Sequence, residues 1–169
     1  MDRLSILSLS AITALDLALL PCSAVAQQKT LKEQLVGTWS LVSVETVKKD
    51  GTKVPFVEGS DIKGVQIFTN KHFSFQVIAD FPKLASGNRL DTTPEENKAV
   101  AHGVQSYFGT YTVNEAEKSW TTHTVRGSAP NQNGSDTKRT ITSISSTELR
   151  YSTPLASGNT NNFIWKREE

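Results

Sequence analysis

Apolar and polar residues alternate along several short segments of the chain, which is the pattern of β-strands with one buried face. Residues 38–47 show it clearly, with Trp39 and Leu41 on one face and Val42 and Val44 on the other. Seven further segments are rich in apolar and β-branched residues and are separated by turn-forming residues. The eight predicted strands cover residues 38–47, 64–69, 72–79, 109–114, 119–126, 137–144, 148–153 and 161–167.

Two segments carry helical signals instead. Leu31 and Leu35 lie four positions apart, which puts them on one face of a short helical turn that ends at Gly37. Residues 93–96 read Thr-Pro-Glu-Glu, in which the threonine is a suitable N-cap, the proline suits the first helical position and the second glutamate completes a capping box. We therefore predict a helix over residues 94–106, inserted between the third and fourth predicted strands.

The number and length of the predicted strands favour an all-β fold. Eight short strands with mostly short connections suit an up-and-down antiparallel β-barrel, because closure of the sheet removes its exposed edges. The length of 169 residues and the 37% of hydrophobic residues fit one domain with one core. We therefore predict a single eight-stranded barrel with one short helical insert.

Residues 1–26 have the pattern of a cleavable secretory signal peptide. An apolar run follows Arg3 and ends before a small-residue cleavage pattern at 24–26. The run is shorter than the roughly 20 residues of a membrane-spanning helix, which favours removal over anchoring. The sequence thus predicts a secreted or periplasmic protein whose mature domain covers residues 27–169.

Charge and composition argue against several classes of function. The net charge is +1 and the basic residues are spread along the chain, so we expect no nucleic-acid binding. The three histidines lack the spacing of metal ligands, and the single cysteine, Cys22, leaves with the signal peptide, so we expect no metal site and no disulfide. No cofactor fingerprint is present, and stable membrane insertion is not expected after cleavage.

The residues around the first strand resemble a known family. Gly37-Thr38-Trp39 opens that strand after a helical turn and before seven more strands, an order that resembles the lipocalin superfamily. The finer pattern is similar to the lipocalin-like domain family of small exported bacterial and fungal proteins. The residues that carry this likeness are 35–43, 107–111, His123, Ser128, Pro130, Gly134 and Arg139.

The resemblance implies a structural role for the residues at the closed end of the barrel. In the superfamily the Gly-x-Trp pair, here Gly37 and Trp39, seals that end. A basic residue near the last strand stacks on the tryptophan, and either Arg167 or Lys166 can fill this role here. A cation over an indole ring contributes about 0.5–2 kcal/mol and shields the end of the barrel from water.

The resemblance also implies a function, which is the binding of a small hydrophobic or amphipathic molecule inside the barrel without chemistry. His123 lies in the middle of the fifth predicted strand, and if its face points inward a neutral imidazole can bond a ligand or act as a base. An inward Arg139 would favour a carboxylate or phosphate head group. A satisfied core histidine and a solvated arginine at the rim are the alternatives.

Aromatic residues form the rest of the candidate ligand site. Tyr111 and Tyr151 lie on the fourth and seventh predicted strands, and Phe73 and Phe75 share one face of the third. Such faces line apolar pockets, but they also line ordinary cores. The two cases stay open at this stage, because a register error of one residue moves every side chain to the other face.

Two other functions remain alternatives to binding. One is an isomerase or cyclase that acts on a hydrophobic substrate, with His123, Tyr111 or Arg139 in proton transfer or charge stabilisation. The other is a filled barrel that serves as an interaction module through its loops at 85–93 and 127–136. The sequence leaves the ligand and the oligomeric state open.

Overall fold

A computed structural model describes residues 29–57 and 61–169. The predicted signal peptide lies outside the described residues. The elements, in chain order, are α1 (Leu31–Leu35), β1 (Gly37–Val47), β2 (Lys53–Pro55), β3 (Ile62–Phe68), β4 (His72–Ala79), α2 (Pro94–Gly103), β5 (Val104–Asn114), β6 (Ser119–Gly127), a 3₁₀ turn (Pro130–Gln132), β7 (Asp136–Ile144), β8 (Glu148–Pro154) and β9 (Thr160–Arg167).

The strands form one antiparallel sheet in the order β2-β1-β3-β4-β5-β6-β7-β8-β9, and β1 also pairs with β9. That last pairing closes β1 and β3–β9 into an eight-stranded antiparallel barrel, which confirms the predicted architecture, and β2 adds a short extra strand to the end of β1. β9 pairs along β1 from Trp39 to Val47, with a register shift between Leu41 and Ser43. A bulge of this kind bends the strand, so the first part of β1 pairs with β3 and its last part with β2.

The placement of the helical insert differs from the prediction. We expected the helix after the third strand, but α2 follows the fourth strand, β4. The difference arises because the prediction did not include the short strand β2. Three residues pairing with the end of β1 are too few to give a recognisable alternation. The helix also ends at Gly103 instead of residue 106, and β5 starts at once, five residues earlier than the strand predicted at 109.

The two ends of the barrel differ. The end covered by α1, here called the closed end, is filled with large side chains, and the three tryptophans, Trp39, Trp120 and Trp165, are 0% exposed. Phe68 packs edge-on against Trp120, whose ring lies 4.7 Å from that of Tyr151. The opposite end, here called the open end, carries α2 and the connections at 128–135 and 155–159. Packing at the closed end therefore defines the core.

Candidate functional site

Gly37, Trp39 and Arg167 close one end of the barrel. The guanidinium carbon of Arg167 lies 4.0 Å from the centre of the Trp39 ring, and the indole N–H donates to the carbonyl of Leu35 at 2.9 Å. Arg167 also donates to the carbonyls of Ser146 at 2.8 Å and of two residues at the end of α1. Gly37 has φ +137°, and a Cβ there would overlap Nη1 of Arg167.

Of the two basic residues considered for the stacking position, the structure therefore places Arg167 on the tryptophan. Lys166 is exposed, because alternation along β9 turns it to the outer face. Trp39 and Arg167 thus form a cluster in which the cation lies over a buried ring and donates to backbone carbonyls. This cluster holds α1 over the closed end of the barrel.

Arg139 is the principal polar residue of the interior. It is 4% exposed and lies on β7 with its side chain inside the barrel. Nη1 donates to the Thr122 hydroxyl at 2.6 Å and to the Thr137 carbonyl at 3.1 Å, and Nη2 donates to the Tyr107 hydroxyl at 2.7 Å. Within the part of the chain that the structure describes, it forms no ion pair with a carboxylate. An arginine keeps its charge in proteins, so Arg139 is a buried cation without a carboxylate partner among the described residues.

A cavity of about 270 Å³ lies above Arg139 at the open end. Tyr107 and Phe163 supply aromatic surface, and Leu155 and Ala156 form part of the rim. The remaining lining is polar but uncharged apart from Arg139. It consists of Gln105, Thr124, Gln132, Ser135, Thr137, Thr153 and Asn161, and Pro154 completes the wall.

Two polar atoms in this lining have no hydrogen-bond partner among the described residues. They are Oγ1 of Thr153 and Oε1 of Gln132, and both are shielded from solvent. A buried polar atom without a partner costs about 1–3 kcal/mol, so such atoms are suited to bond a molecule that enters the cavity. The first can donate or accept, and the second accepts.

The aromatic floor of the cavity is rigidly packed. The Tyr107 ring stacks on Phe75 at 4.7 Å with an interplanar angle of 21°, and it meets Phe73 edge-on at 5.8 Å. The guanidinium carbon of Arg139 lies 5.8 Å from the same ring. The Tyr107 hydroxyl is therefore held in place by its ring and by the arginine that it accepts from.

His123 lies outside the barrel, which corrects its expected place among ligand contacts. Its side chain is 53% exposed, and Nδ1 lies 2.8 Å from Oδ1 of Asp136 on the neighbouring strand. Thr122 and Thr124, on either side of it, are buried residues of β6 that point inward. Because side chains alternate along a strand, a histidine between two buried threonines faces solvent and cannot reach the cavity.

The four other aromatic candidates point inward but lie below the cavity, packed in the core. Tyr111 donates its hydroxyl to the Thr69 carbonyl at 2.7 Å, and Tyr151 donates to Oε1 of Gln66 at 3.0 Å. Burial raises the pKa of both phenols above the ordinary value, most strongly for Tyr151. Phe73 and Phe75 support Tyr107 from beneath. Of the six predicted ligand residues, Arg139 is the one that lines the cavity.

Sequence reasoning missed Tyr107 and Phe163, which contact the cavity directly. Tyr107 lies four residues before Tyr111, and this even spacing puts both on one face of a strand. A strand predicted to start at residue 109 leaves Tyr107 outside it, whereas β5 starts at Val104. Gln132 and Thr153 gave no sequence signal, since a loop residue and a strand-end threonine are ordinary at a surface.

The described residues contain no group of three or more metal-ligating side chains. No helix in ranges 29–57 and 61–169 has the length and hydrophobicity needed to cross a bilayer. The candidate site is the open-end cavity, which combines the Arg139 cation, several neutral hydrogen-bonding groups and an aromatic floor.

Several solved β-barrels are similar to this chain. A redesigned β-barrel, b11L5F_LGL, is 12% identical over 83% of this chain and 96% of its own, with a TM-score of 0.43. A de novo designed fluorescence-activating β-barrel is 10% identical over 83% and 100%, with a TM-score of 0.42. The redesigned β-barrel mFAP1, bound to DFHBI, is 13% identical over 82% and 100%, with a TM-score of 0.41.

None of the curated proteins compared with this chain matches it. A family model described as a lipocalin-like domain matches residues 36–168. That range begins just before Gly37 and Trp39 and runs through Arg167, so it includes every strand of the closed barrel. The chain, with its antiparallel barrel sealed by a stacked tryptophan and arginine, therefore belongs to the lipocalin-like domain family.

Proposed function

We propose that this protein binds a small amphipathic molecule in the open-end cavity and performs no chemistry on it. The proposal rests on the cavity wall, which has both an apolar part and a hydrogen-bonding part. Tyr107 and Phe163 offer apolar surface, while Arg139, Gln132 and Thr153 offer hydrogen-bonding groups. Binding pockets combine an apolar wall with a few polar groups that fix the orientation of the ligand.

The size of the cavity limits the ligand. Its volume of about 270 Å³ lies just below the range of about 300–1,000 Å³ that holds drug-sized molecules. It equals the liquid volume of about nine water molecules, at about 30 Å³ each. The proposed ligand is therefore smaller than a drug-sized molecule, with a short hydrocarbon or single-ring body.

The enzyme alternative has less support from the positions of the side chains. His123, the predicted base, is outside the barrel, and no histidine or carboxylate stands among the described residues that line the cavity. An isomerase or cyclase would have to work with Arg139 and Tyr107 alone. Filled packing at the closed end agrees with an interaction module, but the cavity at the open end favours binding.

The test is a screen of small acids, alcohols, amides and amines by ligand-observed NMR. A blocked variant, Ala156→Trp, places a large ring at the exposed rim of the cavity, and Ser157→Trp adds the same ring one residue away at a position that does not line it. We expect binding to the native chain and to Ser157→Trp, with loss in Ala156→Trp. Binding that survives in Ala156→Trp would place the ligand elsewhere.

Native mass spectrometry of protein purified gently from its own cells complements the screen. A small molecule bound in stoichiometric amount would support the proposal and identify the ligand. The same spectrum measures the start of the mature chain.

We also propose that the protein is a small exported member of the family, of the bacterial or fungal kind and secreted or periplasmic, with cleavage after Ala26.

Such cleavage would leave α1 and its cap intact. Thr30 caps this helix, with its hydroxyl accepting from the Glu33 amide at 3.2 Å. A mature mass that begins at Gln27 is the expected result. A mass that retains residues 1–26 would overturn the export proposal without affecting the cavity.

A further inference from the structure

We infer that the polar end of the ligand is a single carboxylate, held by Arg139. This inference rests on the proposed function and specifies its chemistry. Arg139 is 4% exposed, and it has no carboxylate partner among the residues that the structure describes. Burying a charge without a counter-charge is costly, so an anion that enters the cavity gains a strong attraction that a neutral molecule lacks.

The hydrogen bonds of Arg139 leave donors for such an anion. A guanidinium has five N–H donors, of which three are used by Thr122, Thr137 and Tyr107. Nε and one N–H of Nη2 are not used in these three hydrogen bonds. The two oxygens of a carboxylate can accept from both of these donors, which is the arrangement that arginine favours.

Tyr107 supplies another donor beside the guanidinium. Its oxygen accepts from Nη2 at 2.7 Å, so the hydroxyl hydrogen is free to donate toward the cavity. Stacking on Phe75 holds the ring in position, which lowers the entropic cost of this bond. The carboxylate thus meets a preorganised pair of groups, the Arg139 guanidinium and the Tyr107 hydroxyl.

The charge of the lining selects a monoanion over a dianion. Arg139 is the sole charged residue among the described residues that line the cavity, and the others are neutral hydroxyls, amides and apolar groups. One carboxylate balances this charge. A phosphate monoester carries up to two negative charges, and the second would be buried without a partner.

The test uses probes with similar hydrocarbon bodies and different polar groups. Phenylacetate, phenylacetamide, phenethylamine and phenyl phosphate form one set, and pentanoate, pentanamide and pentylamine form another. We expect the carboxylates to bind at least about tenfold more tightly than the amides, the ratio that 1.4 kcal/mol gives. The amines should bind least, because their charge is repelled by Arg139.

Variants then assign the preference to its source. Arg139→Gln should remove the tenfold preference for phenylacetate, and Tyr107→Phe should reduce it while leaving the charge in place. Arg126→Gln is the matched control, because Arg126 is an exposed arginine on the neighbouring strand β6. If Arg139→Gln fails to fold, the ratios measured on the native chain still decide the question.

The outcomes separate this inference from the proposed function. Amides that bind as tightly as carboxylates, with binding lost in Ala156→Trp, would overturn the carboxylate inference and leave the binding function standing. Tighter binding of phenyl phosphate than of phenylacetate would also overturn it. No binding of either probe set at millimolar concentration would overturn both proposals.

Discussion

Arg167 joins three parts of the molecule at the closed end. It stacks on Trp39 and donates to carbonyls of α1 and of the β7–β8 turn at Ser146. Each of these bonds has a charged donor, which is the stronger class of protein hydrogen bond. The residue therefore links β1, the end of α1 and the β7–β8 turn.

Arg167→Ala should lower the free energy of unfolding by about 2–4 kcal/mol, because several carbonyl groups and the indole face lose their partner together. Urea denaturation of the two proteins measures the difference. Lys166→Ala is the control, since Lys166 is exposed on the adjacent position and its loss should change stability by no more than about 0.5 kcal/mol. Equal effects of the two substitutions would contradict the role of Arg167.

Tyr151 gives a prediction for alkaline pH. Its side chain is 1% exposed, and burial raises the pKa of the phenol above its ordinary value. The neutral phenol is thus favoured in the folded state, so its stabilisation is full below about pH 10 and is lost as the pH rises beyond that value. Tyr151→Phe cannot ionise, and its stability should therefore fall less steeply than that of the native chain between about pH 9 and pH 11.

The same substitution has a cost at neutral pH. Tyr151→Phe leaves Oε1 of Gln66 without its donor, and Gln66 is 1% exposed. Loss of a partner for a buried polar atom costs about 1–3 kcal/mol, which urea denaturation at pH 7 would detect. A variant as stable as the native chain at pH 7 would show that the bond contributes nothing net.

At the scale of elements, β5 and β6 approach each other closely at Gly109. The pairing register shifts between Phe108 and Gly109, and a Cβ at Gly109 would overlap the backbone carbonyl of His123. Backbone atoms cannot move aside as a flexible side chain can. The glycine therefore permits the bulge that turns these strands around the barrel.

Gly109→Ala should destabilise the protein by about 1–3 kcal/mol or more, as overpacked positions do. Thr110→Ala, one residue along on the outer face, is the matched control and should have little effect. Thermal unfolding followed by circular dichroism compares the two. An unchanged melting temperature for Gly109→Ala would mean that the strands can separate at this point without cost.

The cap of α2 is sensitive to acid. The backbone N–H groups of Ala85 and Thr93 donate to the Glu96 carboxylate at 2.8 Å each, and these bonds lower its pKa below the ordinary value. The stabilisation is therefore present above the ordinary pKa of a glutamate and is lost as the pH falls through the lowered value. Glu96→Gln should be less stable than the native chain at pH 7, and the difference should shrink toward pH 3.

The sequence was a good guide to elements with a strong local signal. The capping box at Thr93 and the alternation of β1 act over neighbouring residues, so their positions could be predicted closely. The end of α2 and the start of β5 could not, because Val104 donates to the helix carbonyl of Val100 and begins a strand at the same position. Tertiary pairing with β4 decides that boundary, and a single sequence does not display it.

The candidate site was predicted in part for a similar reason. Arg139 could be selected by residue type, and its burial follows from strand alternation once the register is known. Alternation also separates the two faces of β6, but it does not show whether His123 or its neighbours Thr122 and Thr124 point inward. Gln132 reaches the cavity from a loop, and nothing in local sequence specifies where a loop side chain will lie.

At the scale of the whole molecule, the first and last strands hold each other in place. β9 pairs with β1 on one side and with β8 on the other, so its removal would expose two edges and open the core. Deletion of residues 160–169 should therefore prevent folding, as shown by loss of the near-ultraviolet circular dichroism of the buried tryptophans. A deletion variant that unfolds cooperatively would contradict this expectation.

The division of the barrel into a solid closed end and a hollow open end has a consequence for protein engineering. The tryptophans that support the fold do not line the cavity, so the loop and strand-end residues of the lining can be varied while the core is kept. A library that randomises Gln132, Thr153 and Leu155 would alter molecular recognition with little loss of foldability. Natural selection has the same freedom, so the lining of the cavity can diverge among relatives while the scaffold stays the same.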